Sequence, residues 1–409
     1  MKTDDYGSLY PAPAENPRPN GTRGKRGLPN AAKALIALGL LLAAGAVQHF
    51  YFNGRAPAVA NARGMADTGV SVGYDFDSGA AFYSFDSGNF FLCTKDGMKY
   101  YTSGGVQKWD SVFSLTSPVM AAQGEVAAVG EANGHAIYVY GSAGKLYEQH
   151  FDGPLLSFSV NRSGYLAAIL GEGDGYLIEV FGPGIKTWQY HFSDANIYPM
   201  SADVSSDGRI VAVAFADANF RLTARIVFAY INNAEGSAFT DNIFSEQRID
   251  GEMPASVRFM EGNRLLVFTD ARIRCYQPMP DSTVTQAWDL ELGNKIDCAA
   301  FYGDKSFAYA SGDALLNRSD ADAVGTVNFV SLDGVKTGSY CVGKSVLTLS
   351  MGFGAAIAGT GLEFSAIDGR GNLLWTYASP QNARQMIFLG NTGTALLASD
   401  VSANVVAGN

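Results

Sequence analysis

The residues with most scope for nucleophilic or metal chemistry are four cysteines (Cys93, Cys275, Cys298, Cys341) and four histidines (His49, His135, His150, His191). A structural zinc site needs ligands in closely spaced pairs, and no Cys-x-x-Cys or clustered histidine pattern occurs. Three cysteines sit in strand-like runs, Phe91-Leu92-Cys93, Asp297-Cys298-Ala299 and Tyr340-Cys341-Val342. There Cys behaves as a small apolar residue, so buried free thiols are expected, with a disulfide as the alternative in an oxidising compartment. The histidines fall at unrelated positions and suggest no triad, and Gly-x-Ser-x-Gly is absent. No catalytic, cofactor-binding or metal-ligating residue is assigned, and the chain reads as a non-enzyme without a cofactor.

The glycine-rich segments give the same reading. Gly141-Ser-Ala-Gly144-Lys145 is too short, and lacks the following Ser or Thr, to cradle phosphate and magnesium; it reads as a turn. Gly171-Glu-Gly-Asp-Gly175 and Gly352-Phe-Gly354 lack the strand-to-helix setting of a dinucleotide loop. Tyr74-Asp75-Phe-Asp77-Ser-Gly79, Phe85-Asp86-Ser-Gly88 and Asp320-Ala-Asp322 offer oxygen ligands, but too few for a dedicated calcium loop. Solvated turns are the better reading.

Short β-branched and aromatic runs, broken by turn signals, fill the chain from about residue 69, including Thr94-Lys-Asp-Gly97, Ser206-Asp-Gly-Arg209 and Asp333-Gly334. Charged residues make up only 17% and there are 47 glycines, which suits many short strands rather than long solvated helices. Trp109, Trp188 and Trp375 each lie four residues after a turn glycine (Gly105, Gly184, Gly371), and Trp288 fits the same strand without the glycine. Their spacing is about twice a four-stranded unit of roughly 40 to 50 residues. Tyr147, Phe244, Tyr340 and Tyr74 are the weaker markers expected between them. Four antiparallel strands make one blade, so the fold class is all-β, a β-propeller of eight four-stranded blades, with seven as the alternative. After Trp375 the chain has room for three strands, Gln385 to Leu389, Thr394 to Ala398 and Asn404 to Ala407; Val70 to Phe76 would supply the fourth and close the ring. Asp217 to Asn242 and Ser311 to Gly325 break the rhythm and read as projecting insertions.

Residues 1–33 are rich in Pro and charge and read as a disordered tail. Residues 34–52 run from an apolar core to Phe50-Tyr51-Phe52, 19 residues or about 28 Å of helix, close to the thickness of a bilayer core. A transmembrane signal-anchor is the expectation, a cleaved signal peptide the alternative, and either exports the rest. Arg23, Lys25, Arg26 and Lys33 precede this segment, so the tail faces the cytoplasm. Residues 53–68 then read as a linker and 69–409 as the extracytoplasmic propeller. The first 33 residues carry a net charge of +3, leaving −13 on the rest against −10 overall. An acidic body repels phosphate backbones, so nucleic acid is excluded as a partner.

Phe364-Ser-Ala-Ile-Asp-Gly-Arg-Gly-Asn-Leu-Leu-Trp375-Thr-Tyr377 resembles a repeat of quinoprotein-like propellers, and Ser205-Ser-Asp-Gly-Arg-Ile-Val-Ala212 resembles a WD40-like turn. The arrangement from about residue 30 onward is similar to uncharacterised membrane-anchored propeller proteins of Gram-positive bacteria. That resemblance implies fold and location, and carries no activity with it.

The functional expectation is a binding or scaffolding module at the cell envelope, anchored through residues 34–52 and holding a protein, peptide or glycan. A ligand-sensing membrane protein is the alternative. A quinoprotein-like oxidoreductase would need a carboxylate cluster lining the funnel, and the sequence shows none.

Overall fold

The computed structural model describes residues 63–312, 325–380 and 383–408. Turn residues interrupt the apolar runs every few positions, so the chain folds as successive four-stranded antiparallel meanders. Seven of these units span residues 81–112, 118–150, 155–192, 197–250, 254–291, 296–341 and 348–378. The eighth takes three strands from the C-terminal end, Gln385–Phe388, Thr394–Ala398 and Ser402–Gly408, and its fourth, Arg63–Gly73, from the opposite end of the described chain.

Within a unit, burial follows strand position. Ile210–Asp217, a second strand, is buried along its whole length, as a continuous apolar run requires. The fourth strand Gln107–Val112 alternates between exposed and half-buried residues. Eight apolar clusters lie between units rather than within them, each shared by two consecutive units. Trp188 packs with Val204 and Val211 between the third and fourth, for example, and Val72 and Leu396 meet Phe82 and Phe90 between the eighth and first. The last cluster closes the ring.

Closure is also a matter of backbone pairing. Met65 pairs with Gly408 and Gly73 with Ser402 in an antiparallel ladder, interrupted by a bulge between Asp67 and Ser71. Arg63 and Gly64 then pair in parallel with Trp375 and Thr376 of the seventh unit. This contact merges the seventh and eighth units into one eight-stranded sheet. Among the described residues there are therefore eight four-strand units but seven hydrogen-bonded sheets.

The tryptophans mark the joints. Each lies on the fourth strand of an odd-numbered unit, and its indole Nε1 donates to a turn carbonyl of the next unit: Trp109 to Ser142, Trp188 to Asp241, Trp288 to Leu332 and Trp375 to Thr392. The first three acceptors lie between the third and fourth strands of the receiving unit. Thr392 lies between the first and second, because in the eighth unit the third and fourth strands come from opposite ends of the described chain and have no hairpin to offer. Trp109 is also stacked between Tyr100 of its own unit and Tyr140 of the next, at 5.7 and 5.8 Å.

Among the even units, Tyr147 takes the same place and donates to Gly164 O at 2.6 Å. The other three markers are displaced. By register the equivalent positions are Ser245 rather than Phe244, and Gly338 rather than Tyr340. At Gly338 an added Cβ would lie 2.3 Å from Arg370 C, so close approach of two backbones replaces the ring. In the eighth unit Val70 meets the turn at Gly105, whereas Tyr74 instead donates to Ser399 O and Ser402 O.

Three other expectations change. The closing strand is Arg63–Gly73, not Val70 to Phe76, and it starts within the stretch read as a linker. Asp217 to Asn242 is not a projecting insertion, because Thr223–Tyr230 inside it is the buried third strand of the fourth unit. Its length comes instead from a short helix, Asn233–Gly236, before the fourth strand. Cys93 and Cys275 are buried thiols, but Cys298 is only half-buried and Cys341, on an outer strand, is exposed. The residues read as the tail and the membrane anchor lie outside the described residues, as does most of Ser311 to Gly325.

Candidate functional site

The first strand of every unit faces the axis of the ring, and the ends of six of them, with the turns that follow, surround a cavity of about 400 Å³. The turn of the sixth unit is unlike the others. Residues Tyr302 to Lys305 lean across the mouth and hold five other units. Tyr302 Oη donates to Asp86 Oδ1 of the first unit at 2.7 Å, and its ring lies 5.6 Å from Phe353 of the seventh. Asp304 is 3% exposed; its carboxylate accepts from Ser206 Oγ of the fourth unit and lies 3.2 Å from Arg162 Nη1 of the third. Asp304 O accepts from Glu261 N of the fifth at 2.7 Å. Lys305 Nζ sits 3.9 Å from Asp86 and 5.3 Å above the Tyr302 ring.

Beneath this turn the fifth unit contributes Arg258. A first strand has one edge open toward the axis, and its N–H groups need partners. Ser201 Oγ and Asp203 Oδ2 of the fourth unit accept from Val257 N and Phe259 N at 3.2 and 2.7 Å. Arg258, between those two residues, reaches the cavity instead. Its guanidinium lies 5.2 Å over the Phe301 ring of the sixth unit, and Nη2 is 3.5 Å from Ala122 O of the second. Its Nε is buried without a hydrogen-bond partner. Among the described residues Arg258 has no ion pair.

Of the acidic groups on the neighbouring strands, Asp203 of the fourth unit interacts electrostatically with Arg258 without forming an ion pair with it. Burial pushes the Asp203 carboxyl up, opposed by Arg258, the Phe259 and Val204 N–H groups and the Ser159 hydroxyl. Tyr83, which also lines the cavity, is pushed up to about 12, by burial first, so it stays a neutral phenol at ordinary pH. The site is a partly buried cation among aromatic walls, with acidic groups at the rim already engaged in bonds of their own.

Of the segments considered for chemistry on sequence grounds, only Phe85-Asp86 and Gly352-Phe353 line this cavity. His135 Nδ1 is 3.1 Å from Phe151 O, His150 pairs with Glu148, and His191 with Glu172, each a local contact. Gly141 to Lys145 is the hairpin whose Ser142 O receives the Trp109 indole, and Gly171 to Gly175 is another hairpin. Among the described residues no group of three or more His, Cys, Asp or Glu is placed to hold a metal ion. Asp320 and Asp322 lie outside the described residues. Sequence reasoning missed Arg258, Tyr302 and Asp304. The available signal for the first was a lone charge in an apolar strand, Val257-Arg258-Phe259-Met260.

Solved structures that resemble the chain are β-propellers. BamB from Moraxella catarrhalis matches with a TM-score of 0.50 at 13% identity, over 84% of this chain and 100% of that one. The β-propeller domain of Cps50 (Swd1) from Myceliophteria thermophila matches with a TM-score of 0.47 at 12% identity, over 82% and 99%. The Pan2 WD40 domain from Neurospora crassa gives 0.45 at 10%, over 71% and 88%. At such identities the likeness concerns the fold. No curated protein matches the chain in sequence. A family model matches residues 67–406, which is the whole ring but for a few residues at its two ends, and the chain therefore belongs to the family of unknown function DUF5711.

Proposed function

We propose that this protein is a non-catalytic binding module, a propeller that holds a protein, peptide or glycan of the cell envelope at the mouth of its central channel. The observation that carries this reading is the aromatic-walled cavity of about 400 Å³ around Arg258, within the size range of ligand pockets. Binding rather than turnover is supported by what surrounds it. The histidines have local partners elsewhere, and the acidic side chains Asp86 and Asp304 bridge units of the ring rather than activating a nucleophile.

The location is part of the same proposal. Residues 34–52 serve as a single transmembrane anchor, with the N-terminal tail in the cytoplasm and the ring outside. The apolar length and the basic residues before it support this topology.

Capture from solubilised cell envelope by the full chain, with identification by mass spectrometry, tests the reading. The expected result is a protein or glycan retained by the folded chain, lost on heat unfolding and displaced when Lys305 at the mouth is replaced by Glu. Retention insensitive to both treatments would contradict it.

A further inference from the structure

Three facts about one place in the ring belong together. Arg258 brings a positive charge to the wall of the cavity and has no ion pair among the described residues. Carboxylates do occur at the mouth, but they are engaged: Asp86 accepts from Tyr302 and lies near Lys305, and Asp304 is held by Arg162 and Ser206. The Arg258 Nε is also buried without a hydrogen-bond partner. Native proteins leave few such atoms, and a partly buried cation without a direct ion pair is costly to hold.

That cost is not required by the fold. The open edge of the fifth unit's first strand is already satisfied by Ser201 and Asp203, and the packing between the fifth and sixth units is apolar, built on Met260, Phe268 and Phe307. A methionine or leucine at 258 would meet both demands. An arginine there is a device for binding.

We propose that the channel mouth takes a carboxylate-bearing ligand with an aromatic or apolar body, its carboxylate on the Arg258 guanidinium and its body against Tyr83, Phe301 and Phe353. The planar fork of arginine matches a carboxylate. A single cation without a direct ion pair suits one negative charge, and Asp86 and Asp304 at the rim disfavour a dianion such as phosphate. Phe301, 5.2 Å beneath the guanidinium, keeps the arginine extended into the cavity and supplies a flat surface beside the bound acid. The carboxylate can belong to a free small acid or to the C-terminal end of a peptide, since both present the same group.

This inference rests on the cavity used in the binding reading, but it fails separately. Isothermal titration of the full chain with N-acetyl-phenylalanine, its uncharged amide, acetyl-Gly-Gly-Phe and inorganic phosphate makes the test. The acid should bind one to one and at least ten-fold more tightly than the amide, with phosphate giving no saturable heat. Preference for acetyl-Gly-Gly-Phe over N-acetyl-phenylalanine points to a chain terminus, and the reverse preference to a small acid. In Arg258→Gln the difference between acid and amide should vanish while the near-ultraviolet circular dichroism is unchanged. If that variant misfolds, Arg258→Lys, which keeps the charge but not the fork, should weaken the acid several-fold and leave the amide unaffected. Equal affinity for acid and amide, phosphate binding above the acids, undiminished acid binding in both variants, or no binding by either acid overturns the proposal. Envelope capture that persists in any of those cases leaves the broader binding reading standing.

Discussion

Arg162 Nη1 of the third unit lies 3.2 Å from Asp304 Oδ2 of the sixth. The pair reaches across the ring rather than along it, and it is one of several bonds made by a single turn that covers the channel mouth. Asp304 is buried while Arg162 is about half exposed, so the carboxylate depends on its partners more than the guanidinium does.

Replacing Asp304 by Ala should therefore loosen the mouth. The substitution removes the acceptor for Ser206 and the partner of Arg162, and should cost about 1–3 kcal/mol in denaturant unfolding. Hydrogen exchange at residues 302–306 should speed up, while the outer strands keep their protection. Unchanged exchange there would show that backbone bonds alone hold the turn.

Trp375 is 3% exposed, sits in the cluster between the seventh and eighth units, and donates to Thr392 O at 2.7 Å. Trp375→Ala should destabilise by about 3–5 kcal/mol. Trp375→Phe, which keeps most of the packing but loses the indole donor, should cost only about 1–2 kcal/mol. Equal losses in the two variants, measured as shifts in the unfolding midpoint, would mean that the hydrogen bond dominates the joint.

Ring closure gives a third outcome. Deleting residues 63–73 removes the fourth strand of the eighth unit and exposes the edge at Ser402–Gly408. Aggregation on size-exclusion chromatography and loss of a single sharp thermal transition are expected. A monomer with an unshifted transition would show that the cluster between the eighth and first units closes the ring without this strand.

Electrostatics outside the mouth set part of the pH dependence. Glu252 takes two bonds from Arg274, at 2.5 and 2.7 Å, and one from Thr269 Oγ1 at 2.6 Å. The Arg274 bond comes first among the causes that hold its carboxyl below the ordinary range, with burial opposing. A carboxyl depressed in the folded state contributes stability above its unfolded value and loses it as pH falls through the folded one. Glu252→Gln should cost about 2–3 kcal/mol at neutral pH. The gap to the wild type should narrow in acid, below the usual carboxylate range, and a gap constant with pH would rule this out.

Much of the ring was legible in the sequence, and the reason is physical. Gly105, Gly184 and Gly371 turn the chain into an outer strand, and a large ring four residues later fills the joint to the next unit, so the same residue types recur wherever the same joint recurs. The pattern faded at Ser245 and Gly338, where register and close backbone approach replace the ring. Asp217 to Asn242 misled because a short helix lengthens a connection inside an ordinary unit, while the periodicity of Thr223–Tyr230 is that of any buried strand. The mouth was nearly illegible. Asp86, Arg258 and the Tyr302-to-Asp304 turn lie far apart in the chain, belong to three units, and meet only when the ring closes.

The claim that binding occurs at the channel mouth is tested most directly by site-specific photo-crosslinking of the full chain in cell envelope, with a benzophenone amino acid replacing Lys305 at the mouth or Val112 on an outer strand. Lys305 side-chain exposure is 56% and Val112 is 82% exposed, so both positions have room for the bulky side chain, and at 305 only the contacts of Lys305 Nζ with Asp86 and the Tyr302 ring are lost. The account predicts a discrete crosslinked species from position 305 and none from 112. A partner captured from 112 and not from 305 would place recognition on the outer rim and contradict it.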